Sequence, residues 1–150
     1  HFIDMIGVKT PDGVFFAADS VFSPEIIEKY ALMFVMDVEA ALETLDKLAR
    51  TEAAWFVPSH APAVENIAPL AEVNRRGLMR ISETVLERCA SPASREEILA
   101  FVAEKFSLSM SVTEYVLNSA AISAHLSWHR KEGRLAPVVE RGVLLWRRSS

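Results

Sequence analysis

The chain has 150 residues, 51% of them hydrophobic, and a formal net charge of −4; that is enough apolar material for one ordinary core or two small ones. No apolar run approaches the roughly 20 residues a membrane span needs, and the first residues lack the basic-then-apolar pattern of a secretion signal, so a soluble, non-membrane protein is expected. A lone cysteine, Cys89, excludes an internal disulfide and fits a reducing, cytoplasmic setting.

The charge is uneven. Residues 1–120 carry 10 Lys/Arg against 18 Asp/Glu, whereas residues 121–150 carry 6 against 2, so the tail is the basic part. The chain opens on His1 inside an apolar segment rather than on Met, and further sequence upstream is expected.

Residues 3–9 alternate loosely and reach a turn signal, Thr10-Pro11-Asp12-Gly13, before the apolar run 14–18. This pattern predicts a β-hairpin whose second strand, apolar at every position from Val14 to Ala18, lies mid-sheet and is covered on both faces. Asp37 precedes Val38, Ala41, Leu42, Leu45 and Leu48, which follow helical spacing, so a helix is expected over 37–50. Ala53-Ala-Trp-Phe-Val57 reads as a short buried strand stopped by Pro58 and followed by Ser59-His60-Ala61-Pro62. Strand, helix, strand in that order predicts a right-handed crossover unit.

A long helix is expected from Pro69 to Cys89, ended by Ser91-Pro92. Ser94-Arg-Glu-Glu97 and Ser111-Val-Thr-Glu114 are capping boxes that open helices over 94–106 and 111–132, the second with a candidate break at Asn118-Ser119 and Gly133 as terminator. Leu135–Val139 and Val143–Trp146 flank Glu140-Arg141-Gly142 as a small hairpin. Helices closed by a hairpin follow the order of a winged helix-turn-helix. The division expected is residues 1–68 as an α/β unit and 69–150 as a helical, winged-helix-like unit.

Asp19 follows the apolar run directly, and a charge at the end of a buried strand is costly unless it is paired, protonated or bound to a metal. Two strand ends meet at one edge of an α/β sheet, which is where such folds put their sites. Asp19 at one end and His60 just after the other therefore predict a shared rim, with His1 able to reach the same edge. A carboxylate and two imidazoles suit zinc, manganese or iron.

His1 leading into a hairpin, then Pro-Asp-Gly-Val-Phe-Phe-Ala-Ala-Asp-Ser-Val-Phe, a helix, and Trp-Phe-Val-Pro-Ser-His-Ala-Pro together resemble the second half of a metallo-β-lactamase superfamily hydrolase. The resemblance covers residues 1–66. It implies the second half of an αββα sandwich, and it implies His1, Asp19 and His60 as metal ligands, Asp19 bridging two divalent ions, zinc foremost, with His1 on one and His60 on the other. The implied activity is hydrolysis of a small-molecule ester, thioester, amide or phosphodiester by metal-bound hydroxide. Ala18 and Ser59 stand where the family usually has glycine. The family's His-x-His-x-Asp-His cluster does not occur in this sequence, so the chain alone is expected to be inactive.

Residues 70–150 resemble the carboxy-terminal helical extension with a winged-helix element found on some members, the cue being Ala124-His-Leu-Ser-Trp-His-Arg-Lys-Glu-Gly-Arg-Leu135. The rival reading is a non-catalytic module in which this region binds nucleic acid through Arg130, Lys131, Arg134 and Arg141, or pairs with a second copy as a homodimer. His125 and His129 sit one helical turn apart without a third ligand, and packing is the expected role for them, for Cys89 and for Trp55, Trp128 and Trp146. An amino-terminal histidine also chelates copper in some secreted oxidases, a reading that the helix-rich pattern and single cysteine disfavour.

Overall fold

A computed structural model describes residues 4–149, so His1 lies outside the described residues. Strand β1 (Val8–Lys9) turns through Thr10–Gly13 into β2 (Val14–Phe22). Thr10 N–H donates to Val14 O at 2.9 Å and Gly13 N–H to Thr10 O at 3.0 Å. Gly13 takes φ +87°, a conformation that glycine adopts without a Cβ clash.

Two helices follow, α1 (Pro24–Tyr30) and α2 (Val38–Arg50). The sequence reading missed α1, although its start is signalled: Ser23 accepts a hydrogen bond from Ile26 N–H, Pro24 opens the helix and Glu25 lies in its first turn. In α2 the predicted Asp37 cap accepts from Ala40 N–H at 3.0 Å, and Val38, Leu45 and Leu48 are buried.

The chain then forms β3 (Trp55–His60), parallel to β2, giving the sheet order β1-β2-β3. Pro58 does not stop this strand as expected. It lies opposite Ala18, at a register irregularity where the ladder is already interrupted, so its missing N–H costs little there.

Phe15, Ala17, Val21 and Phe56 pack with Leu45 and Leu48 of α2 and with Ile67 and Ala71. The opposite face differs from expectation. Val8, Phe16 and Trp55 are close to half exposed and share that face, since Val8 pairs with Phe16 and Trp55 with Val14. Among the described residues β2 is central in the sheet but covered on one side only.

Helix α3 (Ala68–Arg88) carries the structure onward. Its first turns belong to the sheet core, while Ile81 and Val85 join Cys89, Ile98, Leu99, Val102, Ala121, Ile122, Leu126 and Leu135 in a second cluster. At Gly77 a Cβ would come 3.2 Å from Ile27 Cγ2, so the glycine lets α1 lie close on α3.

Helices α4 (Arg95–Lys105) and α5 (Val112–Lys131) both open on the predicted capping boxes. Ser94 N–H donates to Glu97 Oε2 and Ser111 N–H to Glu114 Oε2, each at 2.7 Å. The candidate break at Asn118-Ser119 is absent. Ser123 Oγ instead donates to the Ser119 carbonyl at 2.8 Å within the continuous helix.

Strands β4 (Leu135–Glu140) and β5 (Val143–Arg148) form the predicted antiparallel hairpin through Arg141 (φ +52°) and Gly142 (φ +80°). It closes the helical cluster through reciprocal bonds between Ala93 and Trp146, at 3.0 and 2.8 Å. No helix among the described residues is long and apolar enough to cross a membrane.

Candidate metal centre

β2 and β3 run parallel, so their carboxyl ends reach the same edge of the sheet. β2 arrives there with extra residues. Ala18 pairs with Pro58 and Phe22 with His60, so four steps on β2 match two on β3, and a further irregularity separates Phe16 from Ala18. Ala18 turns into the left-handed region at φ +48°, and Ser20 Oγ donates to Ala17 O at 2.6 Å across the bend. A bulge of this kind re-aims side chains that a regular strand would alternate between faces.

Its result is the approach of Asp19 Oδ1 to His60 Nε2 at 3.4 Å. The structure therefore brings together two of the three residues singled out in the sequence, and His1 falls outside the described residues. One premise changes. The Asp19 side chain is 33% exposed and that of His60 44%, so the carboxylate stands at an open rim rather than at a dry strand end.

Two contacts hold His60, and a third holds Phe22 behind it. The Phe22 ring lies against its imidazole, with centroids 5.1 Å apart and planes inclined by 12°. Ser23 N–H donates to the His60 carbonyl at 2.9 Å. Behind Phe22, Asn74 of α3 accepts from Phe22 N–H at 3.0 Å and donates to Phe22 O at 2.9 Å. The signal for Asn74 is a polar residue on the apolar face of a helix, four positions after Leu70 and seven before Ile81. A small cavity of about 40 Å³ is lined by Asp19, Phe22, Phe34 and Asn74 and does not include His60. A larger cleft of about 430 Å³, between α2 and the β1–β2 hairpin, reaches Ser20 and Lys47 but is lined by neither Asp19 nor His60.

Among the described residues no group of three or more His, Cys, Asp or Glu side chains is placed to hold a metal ion. Asp19 and His60 offer two donors.

The basic residues of the tail are spread over different roles. Lys131 pairs with Glu39, and the Arg134 guanidinium lies over the Trp128 ring at 4.2 Å. Arg130 and Arg141 are exposed, the latter in the hairpin turn. The outward side of the first half of α5 presents Val112, Tyr115, Val116 and Leu117 to solvent.

His125 and His129 are buried as packing residues. His125 Nδ1 lies 2.8 Å from Ser82 Oγ, and His129 Nε2 lies 3.0 Å from the Ser82 carbonyl. Burial, with His129 as a second cause, pushes His125 down to about 3. Burial also pushes His129 down to about 4, against the Ser82 carbonyl, which favours its charged form.

Solved structures similar in fold to this chain include the following two. One is a beta-lactamase domain protein from Burkholderia ambifaria, with a TM-score of 0.69 and 18% identity over 95% of this chain and 43% of that one. The fold of this chain is similar to part of the metallo-β-lactamase fold. The second structure makes this explicit: a metallo-beta-lactamase family protein from Thermus thermophilus, with a TM-score of 0.64 and 19% identity over 91% of this chain and 42% of that one. The chain thus spans less than half the length of either structure. No protein-family model matches the sequence, and no curated protein matches it.

Proposed function

We propose that this chain is the carboxy-terminal part of a metal-dependent hydrolase of the metallo-β-lactamase superfamily, with Asp19 and His60 among its metal ligands. The observation that carries this reading is the 3.4 Å approach of a carboxylate oxygen to an imidazole nitrogen at the carboxyl edge of the sheet, within this fold. Two such donors sharing one zinc, with arms of about 2.0–2.1 Å in tetrahedral geometry, lie about 3.3 Å apart. Their chemistry also fits, since an anionic oxygen and a neutral nitrogen are ordinary zinc ligands.

Asp19 and His60 would hold a divalent cation, zinc with manganese or iron as alternatives, which would supply acidity to a water molecule and a charge to polarise an electrophile. Asp19 would provide the negative charge that retains the cation. His60 turns Nε2 toward Asp19, so as a ligand it holds its proton on Nδ1. The partial exposure of both side chains leaves the rim open to a small-molecule substrate. Two donors do not complete a catalytic shell, so His1 and residues elsewhere in a longer protein supply the rest, and the chain alone is inactive.

The test is metal analysis and hydrolysis by the longest natural form of the protein, with Asp19→Ala and His60→Ala. Bound metal and turnover should fall together in both variants; full metal content and undiminished turnover in Asp19→Ala would overturn the assignment. For the rival module, the apolar outward side of α5 and the engagement of Lys131 and Arg134 favour a protein partner over nucleic acid.

A further inference from the structure

We infer that Asn74 is a positioning residue for His60, acting through Phe22; this rests on the metal-ligand reading of Asp19 and His60 above. Asn74 is 7% exposed, on the face of α3 that meets the end of β2. Its amide grips both polar groups of a single residue 52 positions away, accepting from Phe22 N–H at 3.0 Å and donating to Phe22 O at 2.9 Å. The same Nδ2 donates its other hydrogen to Leu70 O at 2.9 Å, which fixes the amide on its own helix.

Phe22 is the last residue of β2 and pairs with His60 in the ladder. What is gripped on one side of the backbone is the residue whose ring covers the imidazole on the other, 5.1 Å away and nearly parallel. The terminal torsion of histidine is soft, and a ring 44% exposed has little packing to restrain it. Phe22 supplies a flat wall along one face, and the wall stays in place because Asn74 holds its main chain. Ser23 N–H fixes the His60 carbonyl at the same point, so main chain and ring are referenced to one short segment.

The residue type matters. An amide presents an acceptor and a donor at the spacing of one residue's N–H and C=O, whereas a carboxylate lacks the donor and an aliphatic side chain lacks both. The rest of this helix–sheet contact is made by apolar residues such as Ala17, Val21 and Ala71. A buried polar group at that seam costs stability unless satisfied, and satisfying it specifies one arrangement of strand against helix. Outer partners of a metal ligand tune affinity by about 10- to 100-fold.

The experiment uses the longest natural form of the protein with ring-labelled histidine, comparing parent, Asn74→Asp, Phe22→Leu and Asp19→Ala. The ring of Phe22 displaces the His60 proton resonances upfield, a signature that overall stability does not set. Phe22→Leu should abolish the displacement, Asn74→Asp should diminish it, and zinc affinity by chelator competition should fall about 10- to 100-fold in both. An undiminished displacement in Asn74→Asp overturns the inference. Loss of the displacement with zinc affinity changed in Asp19→Ala alone also overturns it, while leaving the metal reading intact. Zinc affinity unchanged in Asp19→Ala as well removes the metal reading, and the inference with it. If Asn74→Asp does not fold, Phe22→Leu decides: it leaves the clamp in place, and unaltered zinc affinity there refutes a positioning role for the ring.

Discussion

Lowering the pH from 7 to 5 should remove on the order of 4 kcal/mol of stability through His125 and His129 together. Both rings are fully buried, held at about 3 and about 4 chiefly by desolvation. At pH 5 each stays neutral in the fold, while in the unfolded chain each takes up a proton as the pH falls through 6.5. The unfolded state then binds more protons, so stability falls with pH at about 1.4 kcal/mol per unit per histidine. From pH 6.5 to 5 this is about 2 kcal/mol each, and the loss continues until the pH reaches the folded-state values. Against a total of about 5–15 kcal/mol for a typical domain, the change is large. The carboxyls of the capping residues Glu97 and Glu114 are held below their ordinary 4.5 by bonds to Ser94 and Ser111, so their contribution is lost at lower pH, outside this window. Urea unfolding at pH steps between 7 and 5, at constant ionic strength, measures the slope for the parent and for His125→Asn, which leaves Ser82 a polar neighbour without the ionisation. The variant should be shallower by about 1.4 kcal/mol per pH unit. Equal slopes between pH 6 and 5 would refute the reasoning.

Ala18→Gly should raise the melting temperature, because a left-handed alanine costs about 1–2 kcal/mol that glycine avoids, while Ala18→Val should lower it. Ser94→Ala and Ser111→Ala should each cost about 1 kcal/mol in chemical denaturation through loss of a helix cap, and a Ser111→Ala protein as stable as the parent would contradict the observed cap. The Cys89 thiol, fully buried and pushed up to about 11 chiefly by desolvation, should resist a thiol-disulfide reagent at pH 8 until denaturant is added. Rapid labelling of the folded protein would place it elsewhere.

Local signals carried much of the fold. The two capping boxes, the Asp37 cap, the Thr10–Gly13 turn and the closing hairpin are each written within a few adjacent residues and formed where expected. Two of the misreadings share a cause. Pro58 ends a strand by local rule but is tolerated opposite a bulge, and that bulge arises from the pairing of β2 with β3, some forty residues apart. The same long-range event opens Asp19 to solvent, against the expectation of a dry strand end. Asp19 and His60 were legible as chemistry-bearing groups at two strand ends. The Phe22–Asn74 contact was not, because it joins a strand terminus to a helix 52 residues later: the polar Asn74 on an apolar helix face signals a buried partner without saying which residue it is. Helix α1 is written in Ser23-Pro24-Glu25, a cap, a first-turn proline and a first-turn carboxylate, but its seven residues are too few for apolar periodicity to show.

Helix α3, 21 residues long and so about 30 Å from end to end, has Ala71 among the sheet residues and Val85 among the helical ones. Neither apolar cluster can melt without stripping this common rod of half its counter-surface. Heating should therefore trace one calorimetric peak, with the rim that carries Asp19 and the closing hairpin giving way at the same temperature.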